Sequence, residues 1–318
     1  MRPTCPSVYW QGPETAVPAA RTGTEVIVMA AHHPIVAGVD GSRASLQAVA
    51  WAAREAERRR LPLSLVTIVS VRNTFGVPIG MPAGFFEQEE SEGRDMLLDA
   101  AEYARRVVPE GELDIETHLC TDSPSLELVD RSKSASMVVV GAGDNRFGWE
   151  RFGSVSRAVV THTHAPAVVV RKLPHVDVND ISGPVVVGVD GSEHSVRAVS
   201  AAFEEASLRG TDVVAVHAWS DLEVRGPFRF RIDWDSVENK ERALLSESLA
   251  GHGEEFPDVR VHPVVVLDQP SHYLASHAAD AQLLVLGRRG RGGFPSLMLG
   301  STTWALLHTV TCPVMVVP

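Results

Sequence analysis

The strongest constraint on the fold is an internal repeat, because one apolar strand pattern occurs twice in the 318 residues, 150 positions apart. Residues 35–42 read Ile-Val-Ala-Gly-Val-Asp-Gly-Ser, and residues 185–192 read Val-Val-Val-Gly-Val-Asp-Gly-Ser. Later landmarks recur in the same order: Met137 to Gly141 matches Leu283 to Gly287, and Gly153-Ser154 matches Gly300-Ser301. A duplication of this kind predicts two homologous domains.

We place these domains at residues 35–171 and 185–318. A disordered N-terminal tail is expected over 1–34, and a linker rich in Pro, Asp, Asn, Ser and Gly is expected over 172–184. Strands are predicted near 35–39, 63–69, 113–119, 137–140 and 167–171, and again near 185–189, 212–218, 259–266, 282–286 and 313–317. Helices are predicted near 44–59, 87–108, 123–135 and 154–164, and again near 194–208, 235–251, 270–279 and 300–309.

Unbroken Val, Ile and Leu strands separated by helical segments are typical of an α/β fold, with a parallel sheet covered by helices on both faces. We therefore expect two tandem domains, each with a five-stranded parallel sheet. Sheets of this type bind ligands at the carboxyl ends of their strands, where the strand order reverses. Asp40, Asp190 and the loops after Gly141 and Gly287 lie at such ends.

Composition excludes several classes of protein. The chain is 44% hydrophobic and 22% charged, an ordinary globular balance, and it has no apolar run near the roughly 18 residues that a membrane helix needs. A formal net charge of -11 argues against nucleic-acid binding. Cys5, Cys120 and Cys312 form no CxxC pair, so neither a disulfide framework nor a metal site is predicted, and we expect a cytoplasmic protein.

Residues 287–301 form a glycine-rich connection between a buried strand and a helix. Glycines let a backbone approach an anion, and the first N–H groups of a helix have no internal partner, so this loop is a candidate phosphate site. Arg288, Arg289 and Arg291 would add positive charge, and Ser301 would add a hydroxyl. Two plainer interpretations remain open: the loop is solvated and merely flexible, and Asp190 is a turn former that caps the next helix.

The spacing Gly287-x2-Gly290-x9-Gly300-Ser301, with Val-Gly-Val-Asp190-Gly-Ser and Val-His-Ala218-Trp on earlier strands, resembles the ATP-binding universal stress protein family in its tandem two-domain form. The resemblance covers roughly residues 34–318. It implies a Rossmann-like fold similar to the adenine nucleotide α-hydrolases, with ATP, with or without Mg²⁺, at the carboxyl edge. By the same resemblance Asp190 would contact adenine or ribose and the Ala218 backbone the adenine edge. The phosphates would be held by Gly287, Gly290, Gly300, Ser301 and Thr302.

The first half departs from this pattern. Eleven residues separate Gly141 from Gly153, where twelve separate Gly287 from Gly300. Gly143 keeps the nine-residue gap to Gly153, but Asp144 and Glu150 bring negative charge that would repel phosphate. Asp40, Ile68, Gly141, Gly153 and Ser154 remain compatible with a nucleotide site. We expect this site to bind nucleotide more weakly than the second, or not at all.

Three functions are compatible with the sequence. The first is an ATP-dependent regulator of a stress response that acts on an unknown protein partner. The second is a slow ATP hydrolase or adenylating enzyme, which is disfavoured because the chain has no Walker lysine and no Ser-Gly-Gly-x-Asp-Ser loop. The third is a nucleotide-free dimerising scaffold. The resemblance also implies association through the last strands, either in a homodimer or as a pseudo-dimer of the two halves.

Overall fold

The structure, a computed structural model, describes residues 33–69, 84–109, 111–121, 123–143, 152–171, 182–219, 234–267, 269–291 and 298–318. Most of the expected tail and linker lie outside these residues. So do Asp144 and Glu150.

Strands and helices alternate in the first half, as predicted. The elements are β1 (Ile35–Val39), α1 (Arg43–Arg59), β2 (Leu63–Ile68), α2 (Phe85–Val107), β3 (Ile115–Cys120), α3 (Pro124–Arg131), β4 (Met137–Gly141), α4 (Ser154–His162) and β5 (Ala167–Val170). Helix α3 ends four residues earlier than expected. It gives way to a turn in which the Ser134 N–H donates to the Arg131 carbonyl at 3.1 Å.

The second half repeats this order with one addition. Its elements are β6 (Val185–Gly188), α5 (Glu193–Arg209), β7 (Val213–Trp219), α6 (Trp234–Leu249), α7 (His252–Glu255), β8 (Val261–Leu267), α8 (Pro270–Ala278), β9 (Leu283–Gly287), α9 (Ser301–Thr309) and β10 (Val314–Val317). The short helix α7 was not predicted. Gly251, with φ 84°, separates it from α6.

The two halves share one sheet, with the strand order β3-β2-β1-β4-β5-β10-β9-β6-β7-β8. Pairing is parallel within each half and antiparallel where β5 meets β10, with Met315 opposite Val168. The pseudo-dimer between the halves is therefore built into one chain. Because β5 and β10 are each paired on both sides, neither strand presents a free edge for pairing with a second copy.

Side chains alternate between the two faces of the sheet, as they must in a pleated strand. Ile35 and Ala37 point to one face, where α1, α2, α5 and α6 pack, whereas Val36 points to the other, where α3, α4, α8 and α9 pack. Each of the two cores runs through both halves. Trp51 and Phe203 are buried in the first of these cores, as large apolar side chains usually are. Among the described helices, none is both long and apolar enough to cross a bilayer.

Candidate functional site

The carboxyl ends of β6 and β9 form a crevice in the second half. These two strands are neighbours in the sheet. From β6 the chain continues through β7 and β8 to the edge of the sheet, whereas from β9 it continues in the opposite direction to β10, next to the first half. The strand order therefore reverses between them, which is where α/β sheets bind ligands. Asp190 follows β6, the loop with Gly290 follows β9, and Ala218 lies near the end of β7.

The Asp-Gly-Ser segment after β6 forms a turn that leads into α5. The Ser192 N–H donates to Asp190 Oδ1 at 3.0 Å, and Gly191 has a φ of 75°, which favours glycine. Ser192 then caps the helix by accepting from the Ser195 N–H at 3.2 Å. The first half repeats this geometry at Asp40, Gly41, Ser42 and Ser45. Asp190 thus forms the turn that precedes α5.

The Asp190 carboxylate also reaches the glycine-rich loop. Its Oδ2 accepts from the Arg291 N–H at 2.9 Å, and a Cβ on Gly290 would lie only 2.2 Å from the same oxygen. Burial alone would raise the pKa of Asp190, but hydrogen bonds from Ser192 and from the Arg291 N–H hold this pKa below its ordinary value. An ionised carboxylate therefore ties the loop to the end of β6, and glycine at 290 makes the contact possible.

Helix α9 begins directly after this loop. The Gly300 N–H donates to the Arg288 carbonyl at 2.9 Å and closes the loop, while Thr303 Oγ1 donates to the Gly287 carbonyl at 2.9 Å and holds the first turn over the end of β9. Ser301 is exposed and Thr302 is half-buried in that turn. Its N–H groups lack partners within the helix, and the helix dipole favours an anion beside them.

Comparison with known proteins assigns the family. The model of the universal stress protein family matches residues 19–171 and 182–318. The chain belongs to the universal stress protein family. A universal stress protein of Mycobacterium tuberculosis is 37% identical over 285 residues, which cover 89% of this chain and 95% of that protein. Another, from Mycolicibacterium smegmatis, is 39% identical over 309 residues, covering 92% and 99%.

A solved structure supports the fold of this universal stress protein independently. The crystal structure of a universal stress protein from Archaeoglobus fulgidus DSM 4304 matches with a TM-score of 0.64, covering 90% of this chain and 98% of that chain. Its sequence identity is 16%, so the likeness concerns the fold alone.

Two of the motif glycines serve packing in this universal stress protein. Gly287 lies inside β9, and a Cβ there would meet the His194 carbonyl carbon at 2.8 Å. Gly141 of β4 is equivalent, with the Ala44 carbonyl carbon at 2.7 Å. Both glycines let the first turn of α5 or α1 lie against a strand end. The structure therefore supplies a reason for these glycines that does not involve phosphate.

The Arg288 side chain, predicted to supply charge to the pocket, bonds the first half of the chain. Its Nη1 donates to the carbonyls of Thr161 at 3.4 Å and Thr163 at 3.2 Å, at the end of α4 in the other half. Burial, together with the nearby positive charges of Arg289 and Arg197, lowers the pKa of Arg288. Carbonyls at a helix end attract a cation, which explains why this arginine crosses between the halves.

The first-half loop closes in the same manner but is shorter. The Gly153 N–H donates to the Ala142 carbonyl at 3.0 Å, and Ser156 Oγ donates to the Gly141 carbonyl at 2.6 Å. Counted from this closure, Gly143 corresponds to Arg289 and not to Gly290. The φ of Gly143 is 92°, a left-handed conformation that Arg289 does not adopt. The equivalence expected from the nine-residue gap is therefore wrong.

Sequence reasoning missed the hydroxyls of Ser156 and Thr303. Each stands in the first turn of its helix and donates to the last carbonyl of the preceding strand. A Ser or Thr three residues after the glycine at the helix start was the available signal.

Ala218 and Ile68 lie where they were predicted, at the ends of β7 and β2. Both side chains are half-buried, and the two residues pair with Val266 and Cys120 of the neighbouring strands. Ser154 begins α4 as Ser301 begins α9. Within the ranges that the structure describes, no three His, Cys, Asp or Glu side chains converge as metal ligands.

Proposed function

We propose that this universal stress protein binds ATP in the crevice between β6 and β9 and acts as a nucleotide-dependent regulator. One observation carries the proposal: the Asp190 carboxylate bonds the Arg291 N–H and so joins the β6 end, the glycine-rich loop and the start of α9 in one crevice. A ribose and a phosphate chain need these two kinds of group side by side, an acceptor for hydroxyls and a set of free N–H donors.

The phosphates would lie at the first turn of α9, against the N–H groups of Ser301 and Thr302 and the backbone of Gly290 and Gly300. The Arg291 side chain would approach from the other side, because its Nη2 lies 3.1 Å from the position of a Cβ on Gly191. Asp190 keeps lone pairs for a ribose hydroxyl, since each oxygen has one bonded N–H. The adenine edge would meet the backbone of Ala218.

The proposal assigns Mg²⁺ no ligand from the protein. Magnesium that accompanies ATP is held largely by phosphate oxygens and water. Within the residues that the structure describes, no cluster of three His, Cys, Asp or Glu side chains is available to ligate the ion. Nor does the proposal include catalysis: the protein would bind ATP at the glycine-rich loop, of which residues 292–297 lie outside the described ranges, and so change the surface offered to a regulatory partner.

The second half is the proposed main site because its loop is tied to the sheet by Asp190. In the first half, Asp40 is exposed, while the turn bond from the Ser42 N–H remains. We therefore propose that the first half binds ATP weakly or not at all.

Calorimetric titration with ATP tests the proposal. We expect about one equivalent per chain for the native protein. Gly290→Ala is expected to weaken binding about tenfold or more, about 1.4 kcal/mol, because the new Cβ displaces the Asp190 carboxylate from the loop. Asp190→Ala is expected to do the same by removing that carboxylate.

Two matched variants control for the substitutions themselves. A Cβ on Gly253 would meet nothing within 4 Å, so Gly253→Ala should bind as the native protein does. Asp40→Ala removes the corresponding turn bond in the first half. It should leave the binding of about one ATP per chain unchanged. If the native protein gives no binding heat at millimolar ATP, the proposal is refuted and the nucleotide-free scaffold is favoured. If Asp40→Ala and Asp190→Ala lose equal ATP affinity, the second half is not the main site.

A further inference from the structure

The two edges of the sheet differ in charge. The sheet ends in β3 on one side and in β8 on the other. Charged side chains are a common protection of an edge strand against pairing with another chain. Strand β3 and the following helix α3 carry Glu116, Glu127 and Arg131. Neither β8 nor the following helix α8 contains an Asp, Glu, Lys or Arg; Asp268, which joins them, lies outside the described residues.

Every second residue of β8 turns its main-chain groups away from β7. The Val213 N–H donates to the Arg260 carbonyl at 2.9 Å, so the main chain of Arg260 faces β7. In a parallel ladder alternate residues of a strand bond the same neighbour, so the N–H and C=O groups of Val265 and Leu267 point outward. Pro263 lies in the same outward row, where its missing N–H costs no bond to β7. No described strand pairs with this row.

The side chains at the carboxyl end of β8 are apolar. Residues 264–267 read Val-Val-Val-Leu; the three valines are half-buried, and Leu267 is 53% exposed. Val265 packs against the core on the α6 side of the sheet, and Val264 packs against the opposite core. Leu267 follows Val265 by two residues and so points to the same face. Unpaired main-chain groups flanked by apolar side chains can accept a further strand.

This edge is complementary to itself. In an antiparallel pair with a two-fold axis at Val266, Val265 of each copy would lie opposite Leu267 of the other. Both residues have outward main-chain groups, so each such pair can exchange both of its N–H···O bonds. Valine opposite leucine is a favourable cross-strand contact, and Pro263 lies outside the paired residues. The two apolar cores would then continue from one copy into the next.

Charge also favours a second copy at this place. A formal net charge of -11 makes copies of the protein repel one another, so self-association is least costly where charged side chains are absent. The uncharged strand β8 and helix α8 meet this condition, whereas β3 and α3 do not. The chain already contains a contact of this kind, because β5 and β10 are equivalent strands that pair antiparallel.

We infer that β8 is a self-association edge, at which two copies of the chain pair Val265 with Leu267 across a two-fold axis and join their sheets. Closed two-fold dimers are the commonest assemblies of soluble proteins, and one patch that serves both copies is what such a symmetry requires. This interface lies at the outer strand of the second half and leaves the pairing of β5 with β10 unchanged.

Sedimentation equilibrium of the full chain without nucleotide tests the inference. The native protein is expected to form a dimer as its concentration rises through the micromolar range. Leu267→Asp should raise the dimer dissociation constant about tenfold or more, because it brings a carboxylate from each copy into an apolar contact. Val265→Pro should also weaken the dimer, since it removes an outward N–H that β7 does not use.

Leu126→Asp is the matched control. It makes the same substitution at a leucine of α3 that is 65% exposed, and it should dimerise as the native protein does. Thermal unfolding checks that each variant is folded. If Val265→Pro does not fold, Leu267→Asp still tests the edge, because its side chain is exposed in the single chain.

Hydrogen exchange locates the interface. The amide hydrogens of Val265 and Leu267 should exchange slowly only at concentrations at which the native protein is dimeric, because they face away from β7 in the single chain. A protein that stays monomeric at all concentrations would overturn the inference and leave the edge to an extended segment of another protein. A dimer that neither substitution weakens, or that leaves these two amides unprotected, would overturn it as well. None of these measurements depends on ATP binding.

Discussion

Replacing Arg209 with methionine is expected to lower the free energy of unfolding by about 3–5 kcal/mol, because the change leaves two buried carboxylates to share the single charge of Arg59. The Arg209 side chain is 3% exposed and lies 2.8 Å from both Glu55 and Glu205. Its guanidinium also stacks over Trp51, with 5.4 Å between the guanidinium carbon and the ring centroid. Urea unfolding, followed by circular dichroism, measures the loss.

Arg209 belongs to a buried quartet that joins the two halves. Glu55 and Arg59 come from α1, and Glu205 and Arg209 occupy the equivalent positions 150 residues later on α5. Arg59 lies 2.6 Å from both carboxylates, and both carboxylates are fully buried. With two cations and two anions the group is neutral as a whole, so losing either arginine unbalances it.

The pKa values of the two carboxyl groups predict how the loss of stability in Arg209→Met varies with pH. Burial and the charge of Glu55 raise the pKa of Glu205 to about 7. Burial also opposes ionisation of Glu55, but the nearby charges of Arg209 and Arg59 outweigh the effect of burial. The pKa of Glu55 is therefore lowered. Glu205 therefore contributes stability in acid that is lost as the pH rises through about 7, whereas Glu55 contributes stability that is lost in acid.

Arg209→Met should consequently be more damaging at about pH 8 than at about pH 5, where a carboxylate freed of its arginine takes up a proton. Arg58→Met is the matched control on the same cluster, because Arg58 is 34% exposed and lies 3.4 Å from Glu55. We expect it to cost no more than about 0.5 kcal/mol. A loss below about 1 kcal/mol for Arg209→Met would show that the quartet is not a substantial part of the contact between the halves.

Gly287→Ala is expected to destabilise the protein by about 3 kcal/mol without nucleotide present, as an overpacked contact does. The added Cβ would lie 2.8 Å from the carbonyl carbon and 2.9 Å from the carbonyl oxygen of His194. These are main-chain atoms of the first turn of α5, so relief requires moving the helix and not merely a side chain. Thermal unfolding without ATP measures the effect.

Gly300→Ala and Gly253→Ala are the comparisons. A Cβ on Gly300 would meet its nearest atom at an ordinary 3.5 Å, and the φ of −67° there suits alanine. A Cβ on Gly253 would meet nothing within 4 Å. Both variants should unfold within a few degrees of the native protein. If Gly287→Ala unfolds at the same temperature as these two variants, the packing role that we give to Gly287 is wrong.

The repeat, the alternating apolar runs and the turn residues were sufficient to predict the fold of each half. Short-range physics decides these features, since a Val-rich strand and an Asp-Gly-Ser turn form through interactions with near neighbours. The same local signals placed Asp190, Ala218 and the glycine-rich loop at strand ends. The contacts these residues make there, such as the bond from the Arg291 N–H to Asp190, needed the structure.

The sequence by itself determined that this protein is a duplicated α/β chain with a glycine-rich loop at the end of a buried strand. Only the tertiary structure decided how the halves meet. It joined β5 to β10, buried Glu55 and Glu205 between arginines of both halves, and turned Arg288 toward α4. These contacts depend on atoms far apart in the sequence, and periodicity within one helix or strand carries no information about a partner that approaches from the other half.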